Sequence, residues 1–203
     1  MKESATPSRK TGRPRTFDAD MALDKAMKVF WEKGYEGSSL PELTEAMGMN
    51  RPSLYAVFGN KENLFRLALE RYSATRDPLF NAAMEQPTAR AVVEHFLRGN
   101  ANAQTETGNP QGCLVINGAL ACSDEARPIQ ASLIERRALS EARLKQRLEQ
   151  ARDEGDLPAD CCPGQMARYV MTVSNGMAVQ SAAGASRQQL QEVVDQVLRG
   201  WPV

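Results

Sequence analysis

The chain of 203 residues contains a single histidine, His95. That scarcity removes most catalytic arrangements at once, because no Ser/His/Asp set can be assembled and a histidine-based metal cage is out of reach. The four cysteines, Cys113, Cys122, Cys161 and Cys162, follow no zinc-type spacing. A Gly-rich phosphate loop is also missing. We therefore expect no enzyme activity, no metal and no cofactor. No stretch approaches eighteen consecutive apolar residues, which argues against a membrane-spanning helix. The first residues carry charge without an apolar block, which argues against a secretory leader. The expectation is a cytoplasmic protein without a membrane partner, its thiols reduced rather than paired.

Net charge is absent as well, with 25 basic and 25 acidic side chains. Its distribution is more telling. Residues 1–16 carry Lys2, Arg9, Lys10, Arg13 and Arg15 against Glu3. A basic front and a slightly acidic rear suit a polyanion partner for the front alone. Residues 1–16 show no apolar periodicity and read as a flexible basic arm.

Strand-like alternation does not appear over any useful length, and the rest reads as helix after helix. Asp18 caps a first helix that presents Leu23, Ala26, Met27 and Phe30 inward and stops at Gly34. Ser39 caps a second, with Pro41 in its first turn and Glu42 completing a capping box. Only Gly48, Met49 and Asn50 separate it from a third helix over 51–58. Asn60 caps a fourth that runs towards Asp77-Pro78. Further helices are expected over 88–104, 113–122, 125–154 and 164–183. A closing helix carries Leu190, Val193, Val194, Val197, Leu198 and Trp201 at amphipathic spacing.

Two short helices joined by a tight Gly-containing turn, with a third ahead of them, form the DNA-binding helix-turn-helix plan. A short turn leaves the N-terminal half of the second helix protruding, where it fits a major groove. Here that half presents Arg51, Pro52, Ser53 and Tyr55. Arg51 can give a guanine two parallel hydrogen bonds, Ser53 can meet bases or phosphates, and Tyr55 suits a phosphate. Lys61, opening the fourth helix, adds charge to an N-terminus already suited to phosphate. Arg13 and Arg15 can enter a neighbouring minor groove. Ser39 completes the candidate DNA-binding set.

The run from Ala26 to Leu67 resembles the DNA-binding domain of the TetR family of bacterial regulators. The resemblance rests on Phe30, Gly34-Tyr35, Ser38-Ser39-Leu40, the Gly48 turn, Leu54-Tyr55, Phe58-Gly59 and Lys61-Glu62. It implies an all-α protein of about nine helices that pairs as a homodimer. A helix-turn-helix domain over 17–62 would be followed by a helical-bundle ligand and dimerisation domain over 63–203. It also implies repression of a palindromic double-stranded DNA operator, relieved by a small-molecule effector. One departure stands out: many members carry an aromatic or a His in the two positions after the tyrosine, where this chain has Ala56 and Val57.

Phe80, Tyr72, Phe96, Asn100, Asn117, Met171 and Asn175 are candidates to line an effector cavity. Cys113 is a further candidate, because a similar Gly-Cys-Leu segment occurs in a branch of the family that senses electrophiles and oxidants. Met177, Leu190, Val194, Val197 and Trp201 are the candidate dimer interface, although such a stripe can also simply cover its own subunit's core. The rival reading is a DNA-binding adaptor that answers to a protein partner and has no small ligand.

Overall fold

In a computed structural model, residues 18–120 and 122–202 are described. Among them are nine α-helices and no strand: α1 (Ala19–Gly37), α2 (Leu40–Met47), α3 (Arg51–Phe58), α4 (Lys61–Met84), α5 (Ala89–Gln104), α6 (Leu114–Asn117), α7 (Arg127–Asp153), α8 (Pro163–Ala182) and α9 (Arg187–Arg199). Arg13 and Arg15 lie outside the described residues.

The start of each early helix is set by a side chain that accepts from otherwise orphaned backbone donors. Asp18 takes Asp20 N–H and Met21 N–H at 3.0 and 3.1 Å. Asn50 takes Ser53 N–H at 2.9 Å, and Asn60 takes Asn63 N–H at 2.7 Å. Gly48 stops α2 in the left-handed region, at φ 69°, and its N–H bonds back to Glu45.

The helical path of α1 breaks at Gly34, at φ 70° and ψ 179°. Two constraints demand glycine there. The backbone is in a region that side chains avoid, and a Cβ would lie 3.2 Å from both the Asn117 and Gly118 carbonyl oxygens. Beyond the break, Tyr35 N–H donates to Gly118 C=O at 2.8 Å. Ser38, fully buried, returns its hydroxyl to Gly34 C=O at 2.6 Å.

Two apolar cores result. The first gathers Ala26, Phe30 and Trp31 of α1, Leu43 of α2, Leu54 and Phe58 of α3, and Phe65 and Leu69 of α4, and it continues into Leu114 of α6 and Ile129 and Leu133 of α7. Arg71 of α4 clamps α1 from outside, with Nε and one terminal nitrogen on the two oxygens of Asp24 at 2.7 and 2.9 Å. The second core is built from α5, α7, α8 and α9 with the end of α4.

Three expectations need correcting. First, α4 does not end near Pro78 but runs on to Met84. Proline deletes one helical donor, yet Pro78 sits on the exposed side, while Phe80, Ala83 and Met84 pack into the second core. Arg147 also holds the far end, giving hydrogen bonds to Met84 C=O and Gln86 C=O at 3.1 and 2.7 Å. Second, the helix expected over 113–122 is a single four-residue turn, α6. Gly118 ends it in a confined spot, where an added Cβ would lie 3.0 Å from Leu133 and 3.3 Å from Phe65.

Third, the residues assigned to a dimer interface face their own subunit. Met177, Leu190, Val194, Val197 and Trp201 are all buried in the second core. These residues of the α9 stripe close that core, and of the stripe Val193 stays exposed.

Candidate nucleic-acid interface and ligand cavity

α3 stands on a base of Leu54 and Phe58, both buried, so its remaining sides are free. Arg51, Pro52 and Tyr55 are exposed, and Ser53 is half-buried. The Asn50 cap and Pro52 in the first turn fix the direction in which the N-terminal half emerges. Ala56 and Val57 are exposed too, and with Thr44, Gly48, Met49, Asn50 and Ser53 they line a shallow depression at the α2–α3 turn.

Ser39 is exposed, but its hydroxyl belongs to the capping box of α2: it accepts from Glu42 N–H at 3.3 Å and donates to the Glu42 carboxylate at 2.8 Å. Lys33 donates to the other Glu42 oxygen at 2.6 Å. The Lys33 hydrogen bond, followed by those from Ser39, brings the Glu42 carboxyl from 4.5 down to about 2. Lys61 lies 4.4 Å above the centre of the Tyr35 ring. Burial of its ammonium lowers its pKa, and burial raises that of Tyr35.

Behind this head, residues of α4, α5, α6, α7 and α8 line a partly open cavity of about 250 Å³. Tyr72, Phe80, Phe96, Asn100, Cys113, Met171 and Asn175 all line it, as does His95. Asn117 does not, which corrects its placement among the candidates. It closes the α6 turn, and its side-chain nitrogen lies beside Gly112 instead. Asn100 donates to the Ser174 hydroxyl at 3.3 Å, and Phe80 and Phe96 meet edge to face at 5.5 Å.

Tyr72 O–H donates to the Cys113 sulfur at 3.3 Å. Burial, then the neighbouring Cys113, raise the tyrosine pKa well above 10, so it remains a donor. Cys113 has no side-chain bond to the α6 backbone, and a four-residue turn supplies little aligned dipole.

Sequence reasoning did not find the polar part of the wall. Arg76, Gln104, Arg136, Arg137 and Arg143 also line the cavity. The signal was weak: α7 is charged on nearly every side, so an inward arginine looks like its solvated neighbours.

The chain matches the family described as "Bacterial regulatory proteins, tetR family" over residues 22–68, and "Tetracyclin repressor-like, C-terminal domain" over residues 87–197. The chain belongs to the TetR family. It is a DNA-binding transcriptional regulator rather than an enzyme.

Among similar proteins is the HTH-type transcriptional repressor ComR of Escherichia coli, 37% identical over 193 residues, covering 94% of this chain and 92% of ComR. The repressor AcnR of Corynebacterium glutamicum is 30% identical over 178 residues, covering 86% and 87%. A cysteine mutant of the TetR family regulator CifR, solved with a 26-bp double-stranded operator DNA, is 40% identical. It superposes with a TM-score of 0.88 over 94% of this chain and 100% of its own.

The position of Glu42 carries a pH signature. Its pKa is depressed in the folded state, so its contribution is complete above about 4.5 and is lost as pH falls through about 2. Glu42→Gln is expected to lower the melting temperature at pH 7, and its difference from the parent should narrow between pH 4.5 and 2. A gap that stays constant over that range would show that the carboxylate is not what stabilises α2.

Proposed function

We propose that this TetR-family protein is a homodimeric repressor that inserts α3 into the major groove of a palindromic operator and lets go when the cavity behind α4 is occupied. The observation that carries the reading is the protruding N-terminal half of α3, with Arg51 and Tyr55 exposed over the buried Leu54 and Phe58. Support comes from CifR, which is similar over nearly its whole length and is solved on operator DNA. Repression as the sign is supported by the names of ComR and AcnR.

In this reading Arg51 pairs with a guanine edge, and Ser53 and Tyr55 hold phosphates. Ala56 and Val57 offer apolar contact to thymine methyls where other members place larger side chains. Lys61 gives charge to the phosphate backbone from its seat on Tyr35.

Pairing needs an exposed face, and α8 offers one. Tyr169, Thr172, Gly176 and Val179, with Ala183 at its C-cap, recur at helical spacing, and all five are exposed in the single chain, as is Val193 of α9. Two such faces can form a four-helix junction with the symmetry mate. Two α3 helices about 34–36 Å apart then meet successive major grooves.

The path from cavity to DNA runs through α6. Cys113, Val115 and Ile116 form cavity wall, and Gly118 at the other end is bonded to Tyr35 just past the break in α1. An occupant that shifts α6 therefore shifts the seat of the head. The shift is bounded by how much better the occupant binds the displaced arrangement. An electrophile can act here by adding to Cys113. The sulfur forms a bond to the electron-poor carbon of a quinone-like molecule, and the thiol proton ends on that molecule, so no further oxidant is required.

Three measurements test these assignments. Arg51→Ala is expected to weaken operator binding by about 1–3 kcal/mol in a mobility shift, and Lys61→Ala to lower the salt slope by about one. Binding that survives both changes intact would remove α3 from the interface. Val179→Asp is expected to convert the dimer to a monomer in sedimentation, and a persistent dimer would move the interface elsewhere. Cys113→Ser is expected to abolish operator release by benzoquinone; unchanged release would exclude the thiol.

A further inference from the structure

We propose that the cavity is built to take a small organic carboxylate, seated against Arg76 and completed by the amide of Gln104. This deepens the effector reading above and rests on it.

The first observation is charge. Four arginines line the cavity, Arg76, Arg136, Arg137 and Arg143, against one carboxylate, Asp77. None of the four forms a salt bridge among the described residues. Their hydrogen bonds go to neutral acceptors instead: Ala103 C=O at 3.0 Å, Ser73 Oγ at 2.8 Å, Val115 C=O at 2.9 Å and Asn81 Oδ1 at 2.7 Å, in the same order. Guanidinium groups keep their charge under all ordinary conditions, so the wall is positive whatever the pH.

The second observation is independent of charge. Arg76 Nε is buried and has no acceptor among the described residues, and Gln104 Oε1 is buried and has no donor. Gln104 as a whole is 5% exposed. Buried polar atoms are nearly always partnered, and the exceptions mark a function or a missing partner. Here a bare donor and a bare acceptor belong to side chains that line one cavity. Both atoms are covered by protein as their side chains now stand. A carboxylate answers the donor, and a hydroxyl or N–H on the same molecule answers the acceptor, once Arg76 and Gln104 turn toward the occupant. Phe80, Phe96 and Met171 in the same wall suit an apolar body between the two.

Size narrows the class further. The volume of about 250 Å³ falls below the roughly 300–1,000 Å³ of pockets for drug-sized ligands. A single-ring acid fits that description better than a multi-ring molecule. Arg76 is also placed to report occupancy. Its guanidinium carbon lies 5.2 Å from the centres of both the Trp31 and Tyr72 rings, so the side chain that would meet the carboxylate touches both the core of the DNA-binding head and the tyrosine that holds Cys113.

The test is calorimetric titration of the full chain with 4-hydroxybenzoate and phenylacetate, each paired with its uncharged amide. We expect at least one acid to bind about tenfold or more tightly than its amide, the usual reach of a charge-assisted hydrogen bond. Gly99→Phe, which places a ring where an added Cβ has nothing within 4 Å, should abolish that binding. Arg76→Gln should weaken it about tenfold, and Arg76→Lys should restore part of the loss. Gln104→Leu should weaken the hydroxylated acid more than phenylacetate, which keeps the test open if Arg76→Gln does not fold. Amides that bind as well as acids, both blocked by Gly99→Phe, would overturn the carboxylate class and leave the effector cavity standing. Binding indifferent to Gly99→Phe would overturn both. Failure of both acids to bind would overturn the carboxylate class.

Discussion

The backbone hydrogen bond from Tyr35 N–H to Gly118 C=O, made at the break in α1, anchors the DNA-binding head to the rest of the subunit. It forms because Gly34 turns the chain out of the helix in a conformation that side chains avoid, and because a Cβ there would crowd the Asn117 and Gly118 carbonyl oxygens at 3.2 Å. Gly118 is held in turn by Leu133 of α7 and Phe65 of α4. The first core then runs without interruption from α1 to α7, so the head is one end of a continuous packed body.

That continuity gives α6 its importance. It is too short to be stable alone, and its position is dictated from both sides. Gly112 lies where an added Cβ would meet the Ala178 carbonyl of α8 at 3.0 Å, and Gly118 lies under α1. Between them sit Cys113, Val115 and Ile116, which form cavity wall. Tight packing transmits such displacements because close-packed interiors do not deform smoothly. In the proposed mechanism α6 is the element through which occupancy is felt.

Much of the architecture was legible in the sequence, because it is written in local chemistry. Asp18, Ser39, Asn50 and Asn60 each cap the helix they precede, and Gly48 makes the turn that defines the motif. Where long-range packing decides, the residues alone gave less. Pro78 reads as a stop signal, but the burial of Ala83 and the two Arg147 hydrogen bonds carry α4 past it. Seven of the aromatic, amide and sulfur-bearing cavity candidates line the wall, while Asn117 is turned away by the shortness of α6. Three arginines of the wall, Arg136, Arg137 and Arg143, were invisible because nothing in the pattern of α7 separates an inward guanidinium from an outward one.

The closing helix carries a consequence for assembly. Leu190, Val194, Val197 and Trp201 complete the interior of the subunit that owns them. In the proposed dimer each protomer can thus mature before it meets its mate, and pairing becomes the docking of two finished surfaces rather than a shared act of folding. Protomers joined in that way can separate and exchange without unravelling. Fidelity among related regulators in one cell would then rest on the outer faces of α8 and α9 alone.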